Sequence, residues 1–235
     1  MITPTATRAP VSTCAVAVDV ALLTVRDGRL RLLLIEPEPA DLRGRWALPG
    51  RRVRDDESLD TTAHRALAEL AGITAPDAHL EQLRTYGDPS RDPRGRVVSV
   101  AYLALTPFTD DPDDAGRARL WDVASFDAGN GPELAYDHDR IVPDAIERAR
   151  SKLEYTALAT AFVPEVFTLA DLRGVYEAVW GVRLDPANFR RKVVSTPGFV
   201  EEAEGTAAPG PGGGRPARLY RRGGATRLHP AMLRP

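Results

Sequence analysis

The chain has 235 residues and a single cysteine, Cys14. One thiol gives no intrachain disulfide and no thiolate zinc cage. Histidine is as scarce: His64, His79, His138 and His229 are scattered, with no two at metal-ligand spacing. No apolar run approaches the ~20 residues of a membrane-spanning helix. The stretch before Asp19 holds Arg8 but no apolar signal core or cleavage pattern. These absences set the expectation of a cytoplasmic protein in a reducing compartment, with no membrane partner. Nor is there a large excess of one charge. The formal net charge of −2 calls for no charged partner, and an apolar share of 43% excludes disorder as the default.

What charge there is lies unevenly. From Arg183 onward ten Lys/Arg face four acids, a surplus of six, so the rest of the chain stands at −8. An acidic body with a basic end points to an anionic partner for that end, against the plainer reading of a solvated tail.

"CAVAVDVALLTV" and "LRLLLIE" are strand-like runs separated by a hairpin signal, Asp27-Gly28. "WALPG" ends the next segment in a turn. Apolar residues recur at three- and four-residue steps between Ser58 and Ala71, which predicts a helix stopped by Gly72. "EQLRTY", "VVSVAYLALT" and "ARLWDV" read as strands, and 137–155 reads as a helix. Antiparallel strands with two helices over the first ~150 residues make an α+β unit. A second organisation follows: the short apolar helix "TALATAFV", then a helix from Thr168 to Gly181 with Asp171 completing an imperfect capping box. Next come a basic helix capped by Asp185, and two strand-like pieces around the low-complexity "GTAAPGPGGG". Helix, helix, basic helix and hairpin is the order of a winged helix-turn-helix.

On the basic helix Asn188, Arg191, Lys192 and Ser195 form one polar stripe. Phe189, Val193 and Val194 are expected to face a core, with Arg190 at the flank. Asn suits adenine and Arg suits guanine in a major groove. Lys192 and Arg190 suit phosphates, and Arg215, Arg218 and Arg221 extend the basic surface along the hairpin. The alternative is a basic helix with no partner.

"LPG" at 48–50, Glu57, Arg65, Leu67, Glu69 and Gly72-Ile73 resemble a Nudix box, whose core reads R-E-U-x-E-E-x-G-U with U aliphatic. Aligned on Glu57 and Arg65, Arg51 replaces the first box glycine, and Ala66 and Leu70 replace glutamates. In that family the box glutamates hold divalent metal at a pyrophosphate. One remaining carboxylate, Glu69, is a poor match for octahedral oxygen ligation, so the resemblance implies a site without metal or catalysis. The loop "YGDPSRDPRGR" resembles that of Nudix proteins specific for ADP-ribose. Arg91, Arg94 and Arg96 are then diphosphate partners, Tyr86 a base-stacking residue and Arg51 a substitute positive charge, with Arg65 and Glu69 beside them. Each loop arginine, taken alone, also fits a solvated charge.

"LAYDHDRIV", "KLEYT", "FTLADLRGVYEAVWG", "NFRRKV" and "GRPARLYR" resemble recurring segments of the Nudix-related transcriptional regulators (NrtR), over roughly 15–222. The resemblance implies a Nudix-type α/β/α sandwich with a mixed sheet followed by a winged helix-turn-helix. It also implies a homodimeric repressor of NAD-metabolism genes that binds double-stranded operator DNA and needs no cofactor. ADP-ribose or a related nucleotide is the implied effector, and Thr168 joins the DNA-contacting set. Expected boundaries are a disordered 1–14, a sensor at 15–153, a DNA-binding domain at 154–222 and a tail at 223–235. The competing readings are a pyrophosphohydrolase with an accessory DNA-binding domain, and a scaffold for RNA or protein.

Overall fold

The computed structural model describes residues 13–74, 78–107, 117–207 and 216–235. The expected disorder of 1–14 therefore falls almost wholly outside the described residues, as do Arg215 and most of the glycine-rich piece.

Asp27 and Gly28 both adopt left-handed backbone, with φ of 52° and 68°. A two-residue turn of this hand matches the twist of paired strands. It joins β1 (Ala15–Arg26) to β2 (Arg29–Ile35), with Arg26 opposite Arg29. The short β3 (Gly50–Arg52) also pairs with β1. After α1 (Leu59–Ala71) come β4 (His79–Tyr86), β5 (Val97–Leu105) and β6 (Ala118–Asp122). The strand order is β4-β5-β1-β2-β6, with β1 and β5 parallel and the other pairs antiparallel, so the sheet is mixed. The one-turn α2 (Val123–Asp127) and the long α3 (His138–Tyr155) complete this part.

The period-two pattern of β1 sets the layers. Val18, Val20 and Leu22 pack with Ala63, Leu67 and Ala71 of α1. Ala21 and Leu23, on the other face, pack with Ile141, Ala145 and Leu153 of α3. Helices thus cover both faces of the sheet. Ser58 caps α1 by accepting from the Thr61 N–H at 3.1 Å, and Gly72 closes it at φ 67°. The capping bond contributes about 1 kcal/mol.

A 3-10 turn at Ala157–Phe162 leads to β7 (Val166–Thr168), α4 (Leu169–Trp180), α5 (Pro186–Ser195), β8 (Val200–Ala207) and β9 (Ala217–Arg222). Strand order β7-β9-β8 gives the wing. Sequence periodicity missed β3, α2 and β7, which are too short to show a period. It also placed Val194 in the core, which the structure corrects. Phe189 and Val193 stand four residues apart and are buried, whereas Val194 lies a further ~100° round the helix and is 53% exposed.

The two parts share one core. The apolar cluster under α3 continues without a break into Leu172, Tyr176 and Val179 of α4, Phe189 and Val193 of α5, and Tyr220 of the wing. Polar bonds fasten the junction. Arg150 Nε donates to the Val179 carbonyl at 3.1 Å and Arg150 Nη2 to Asp127 at 2.6 Å. The Trp180 indole N–H donates back to the Arg150 carbonyl at 3.2 Å, and the Tyr176 hydroxyl to that of Leu153 at 3.2 Å. Beyond the wing the chain returns to α3. The Met232 N–H bonds the Glu154 carbonyl at 2.7 Å, and Arg234 pairs with Glu147 at 2.7 Å and Glu154 at 2.5 Å. Among the described residues no helix is long and apolar enough to cross a membrane.

Candidate functional site

A cleft of about 520 Å³ opens between α1, β3, the 37–39 loop, the β4–β5 loop and the start of α3. Six arginines and four carboxylates are among its lining residues. An excess of guanidinium suits an anionic ligand.

Its floor is a buried charge cluster. Arg91, 7% exposed, donates to both Asp137 oxygens at 3.0 and 2.7 Å and to Asp19 at 3.3 Å. The Ser99 hydroxyl donates to Asp19 at 2.5 Å. His138 Nδ1 accepts from the Leu48 N–H at 2.9 Å, so the ring proton belongs on Nε2, which faces Asp19 at 3.6 Å. Burial alone raises the Asp19 pKa, but His138, Ser99 and Arg91 outweigh it and hold the carboxyl at about 2. The glycine of "LPG" has a steric cause: a Cβ on Gly50 would overlap Asp19 Oδ1.

The wall is the degenerate box helix. Arg65 grips Glu57 with Nε and Nη2, both at 2.7 Å, and reaches the Arg52 carbonyl at 2.9 Å. That bidentate pair lowers the Glu57 pKa to about 2 and ties the loop after β3 to α1. Glu69 receives Arg51 Nε at 2.9 Å, with Arg65 at 3.5 Å and Arg54 at 3.7 Å. The Arg51 hydrogen bond, reinforced by the nearby positive charges, holds its carboxyl below the usual range. Ala66 is fully buried, and Leu70 lines the cleft while packing against the apolar cluster beneath α1. Among the described residues no group of three or more His, Cys, Asp or Glu could hold a metal ion.

Arg51, Arg65, Glu69, Arg91 and Arg94 thus meet in one cleft. Arg94 chelates Asp92 at 2.9 and 2.8 Å and lies over the Tyr136 ring, 5.0 Å from its centroid. The other two expected ligand residues are not brought there. Tyr86 points to the α3 face of the sheet, where its ring is buried and its hydroxyl donates to Asp144 at 2.7 Å. Arg96 closes its own loop, donating to the Gly87 carbonyl at 2.8 Å. Sequence reasoning missed Asp19, Arg54, Tyr136 and His138. Two of these lie in the quoted "LAYDHDRIV"; the others carry no motif of their own.

On α5, Asn188, Arg190, Arg191 and Ser195 are exposed and Lys192 is half-buried. Asp185 caps the helix at the Asn188 N–H, 2.8 Å, and Arg191 Nη2 donates to Asn188 Oδ1 at 2.7 Å. Thr168 is committed to a full capping box with Asp171, whose N–H it accepts at 3.2 Å while its own N–H donates to the Asp171 carboxylate at 2.8 Å. Arg218 pairs with Glu202 at 2.5 Å and Arg221 with Glu201 at 3.2 Å along the wing. Thr168, Arg190 and Arg218 line one groove between the starts of α4 and α5 and the wing.

A sandwich of helices on a mixed sheet, with its cleft at a degenerate box helix and a winged helix on the same core, defines a Nudix protein fused to a winged-helix domain. Family models agree in both parts: residues 15–145 match the NUDIX domain, and 159–222 match the NrtR DNA-binding winged helix domain. The chain is 36% identical over 206 residues to the "ADPR responsive transcriptional repressor NtrR" of Acinetobacter baylyi, covering 87% of this chain and 80% of that protein. The chain belongs to the NrtR family of Nudix-related transcriptional regulators. The crystal structure of Shewanella oneidensis NrtR complexed with a 27mer DNA matches with a TM-score of 0.75 at 32% identity, covering 88% of this chain and 93% of that one. The NUDIX domain of the same Shewanella protein, complexed with ADP ribose, matches with a TM-score of 0.51 at 32% identity over 59% of this chain and 90% of its own. The "ADP-ribose pyrophosphatase" of Methanocaldococcus jannaschii is 33% identical over 116 residues, covering 48% of this chain and 64% of that protein.

Proposed function

We propose that this chain is a transcriptional repressor that answers to ADP-ribose, reading operator DNA with α5 and the wing and binding the nucleotide in the Nudix cleft. The carrying observation is the combination of a cleft in which arginines outnumber carboxylates and no metal-binding group is formed among the described residues with an exposed Asn188–Arg191 pair on one continuous core. The named relatives, a repressor responsive to ADPR and an NrtR bound to DNA, support it. The sensor spans 15–153 and the DNA-binding domain 154–222. Arg51, Arg65, Glu69, Arg91 and Arg94 form the ligand site. Asn188, Arg190, Arg191, Lys192, Ser195, Arg218 and Arg221 face DNA, with Thr168 at the entry of α4, and Arg215 belongs to the same set on sequence grounds alone. The protein acts in the cytoplasm as a homodimer, since two winged helices match a palindromic operator, and it requires no cofactor. Control of NAD-metabolism genes rests on the family resemblance.

The pyrophosphatase relative favours a second reading, hydrolysis of ADP-ribose. Ala66 and Leu70 argue against it. One experiment separates the two: a gel shift on the chain's own upstream DNA, with and without ADP-ribose, run beside an AMP-release assay in magnesium. A regulator gives a retarded band whose intensity ADP-ribose changes, and no AMP above background. Turnover of order 1 s⁻¹, the ordinary enzyme range, with a band indifferent to ADP-ribose establishes the enzyme instead.

A further inference from the structure

The Nudix fold implies a divalent cation held by box glutamates, and the residues present do not fit one. Magnesium needs near-octahedral oxygen ligation, usually with carboxylates among the ligands. Ala66 and Leu70 supply none. Glu69, the remaining carboxylate, already accepts from Arg51 Nε at 2.9 Å, with Arg54 at 3.7 Å. A cation approaching Glu69 must displace those guanidinium groups.

We propose that Arg51 and Arg54 replace the divalent cation, so that the cleft takes the diphosphate of its ligand directly on guanidinium groups and excludes magnesium. The proposal rests on the reading that the cleft binds a nucleotide diphosphate. The cleft arginines divide by what already occupies them. Arg65 is engaged by Glu57 and the Arg52 carbonyl, and Arg91 by two buried carboxylates. Among the described residues, Arg51 spends only its Nε on Glu69, and its nearest other anion is Glu38 at 3.9 Å, a side chain 75% exposed. Its two terminal nitrogens therefore remain to meet phosphate oxygens. Arg54 is 59% exposed, and among the described residues its carboxylate partners stand at 3.6 and 3.7 Å. A guanidinium fork matches phosphate geometry bidentately, and it is always charged. Glu69, 41% exposed, then orients Arg51 rather than a metal.

The test is titration calorimetry of the full chain with ADP-ribose, in EDTA and in millimolar magnesium. The affinity is expected to be the same in both. Arg51→Gly, which restores the family's residue, is expected to lose roughly tenfold to a hundredfold in EDTA, the cost of one charge-assisted contact. Arg51→Lys, keeping the charge without the fork, falls between. Binding that strengthens tenfold or more on adding magnesium overturns the proposal, as does Arg51→Gly binding like wild type. A nucleotide-free measurement keeps the two readings apart. Leu70→Glu adds a second carboxylate, and manganese binding followed by electron paramagnetic resonance is expected to be weaker with Arg51 present than in Leu70→Glu/Arg51→Gly. Equal manganese affinity in those two variants refutes cation exclusion. If wild type binds no ADP-ribose in either buffer, the nucleotide reading fails, while the manganese comparison still decides whether Arg51 keeps cations out.

Discussion

Arg91→Ala is expected to lower the unfolding free energy by about 3–5 kcal/mol at neutral pH, the cost of breaking a buried ion pair from one side. The substitution leaves the buried Asp19 and Asp137 carboxyls without the guanidinium that bridges them. Urea titration with the fluorescence of the three tryptophans measures the change. The pH dependence tests the cause. In the wild type Asp19 sits at about 2 when folded, against about 3.9 for a free aspartate. A depressed carboxyl stabilises the fold fully above the unfolded value, and that contribution disappears as pH falls from about 4 towards 2. In Arg91→Ala the Asp19 carboxyl loses one of the groups that depress it, so its folded pKa rises and its protonation on acidification removes part of the unpaired charge. The deficit of the variant against wild type should therefore shrink on acidification. A constant deficit, or one below about 1 kcal/mol at neutral pH, would mean that Arg91 matters for packing and not for charge.

Arg191→Ala is expected to weaken operator binding by about 1–3 kcal/mol and to relax base preference at the position it contacts. The bond from Arg191 to Asn188 holds the guanidinium on the exposed stripe before any DNA arrives, so less conformational freedom is lost on contact. Lys192→Ala should weaken operator and random DNA alike and reduce the salt slope by about one counterion. Fluorescence anisotropy with operator and scrambled duplexes at several salt concentrations measures both. If Arg191→Ala keeps wild-type affinity and selectivity, α5 is not the reading helix.

Local signals carried much of this architecture. The Asp27-Gly28 turn, the Ser58 cap, the Gly72 stop and the capping box at Thr168 each depend on residues within a few positions of one another, and each stands where its residues put it. The cleft was only half legible, because its floor is made of long-range pairs. Arg91 reads as one of three loop arginines, yet its partners Asp19 and Asp137 lie 72 and 46 residues away. Arg96 is indistinguishable from Arg94 in the string. The turn of the loop sends Arg94 to Asp92 and Arg96 to the Gly87 carbonyl. Tyr86 ends a strand, and only the pairing of β4 with β5, with its register shift between Gln82 and Arg84, decides which face of the sheet it meets.

The shared core also limits how this protein can be rearranged. A winged helix is often pictured as a detachable cassette, ready for grafting onto another sensor. Here α3 is a wall common to both rooms: Leu153 lies under Tyr176, and Arg150 is bonded to Val179 and Trp180. Cutting the chain after Tyr155 would strip apolar side chains from both pieces, and a transplanted DNA-binding end would need α3 carried along. The returning segment with Leu228 and Met232 would have to travel as well, since both are buried and its N–H groups bond the carbonyls of Tyr155 and Glu154. Redesign of this protein is therefore better directed at the lining of the cleft, residue by residue, with the chain kept whole.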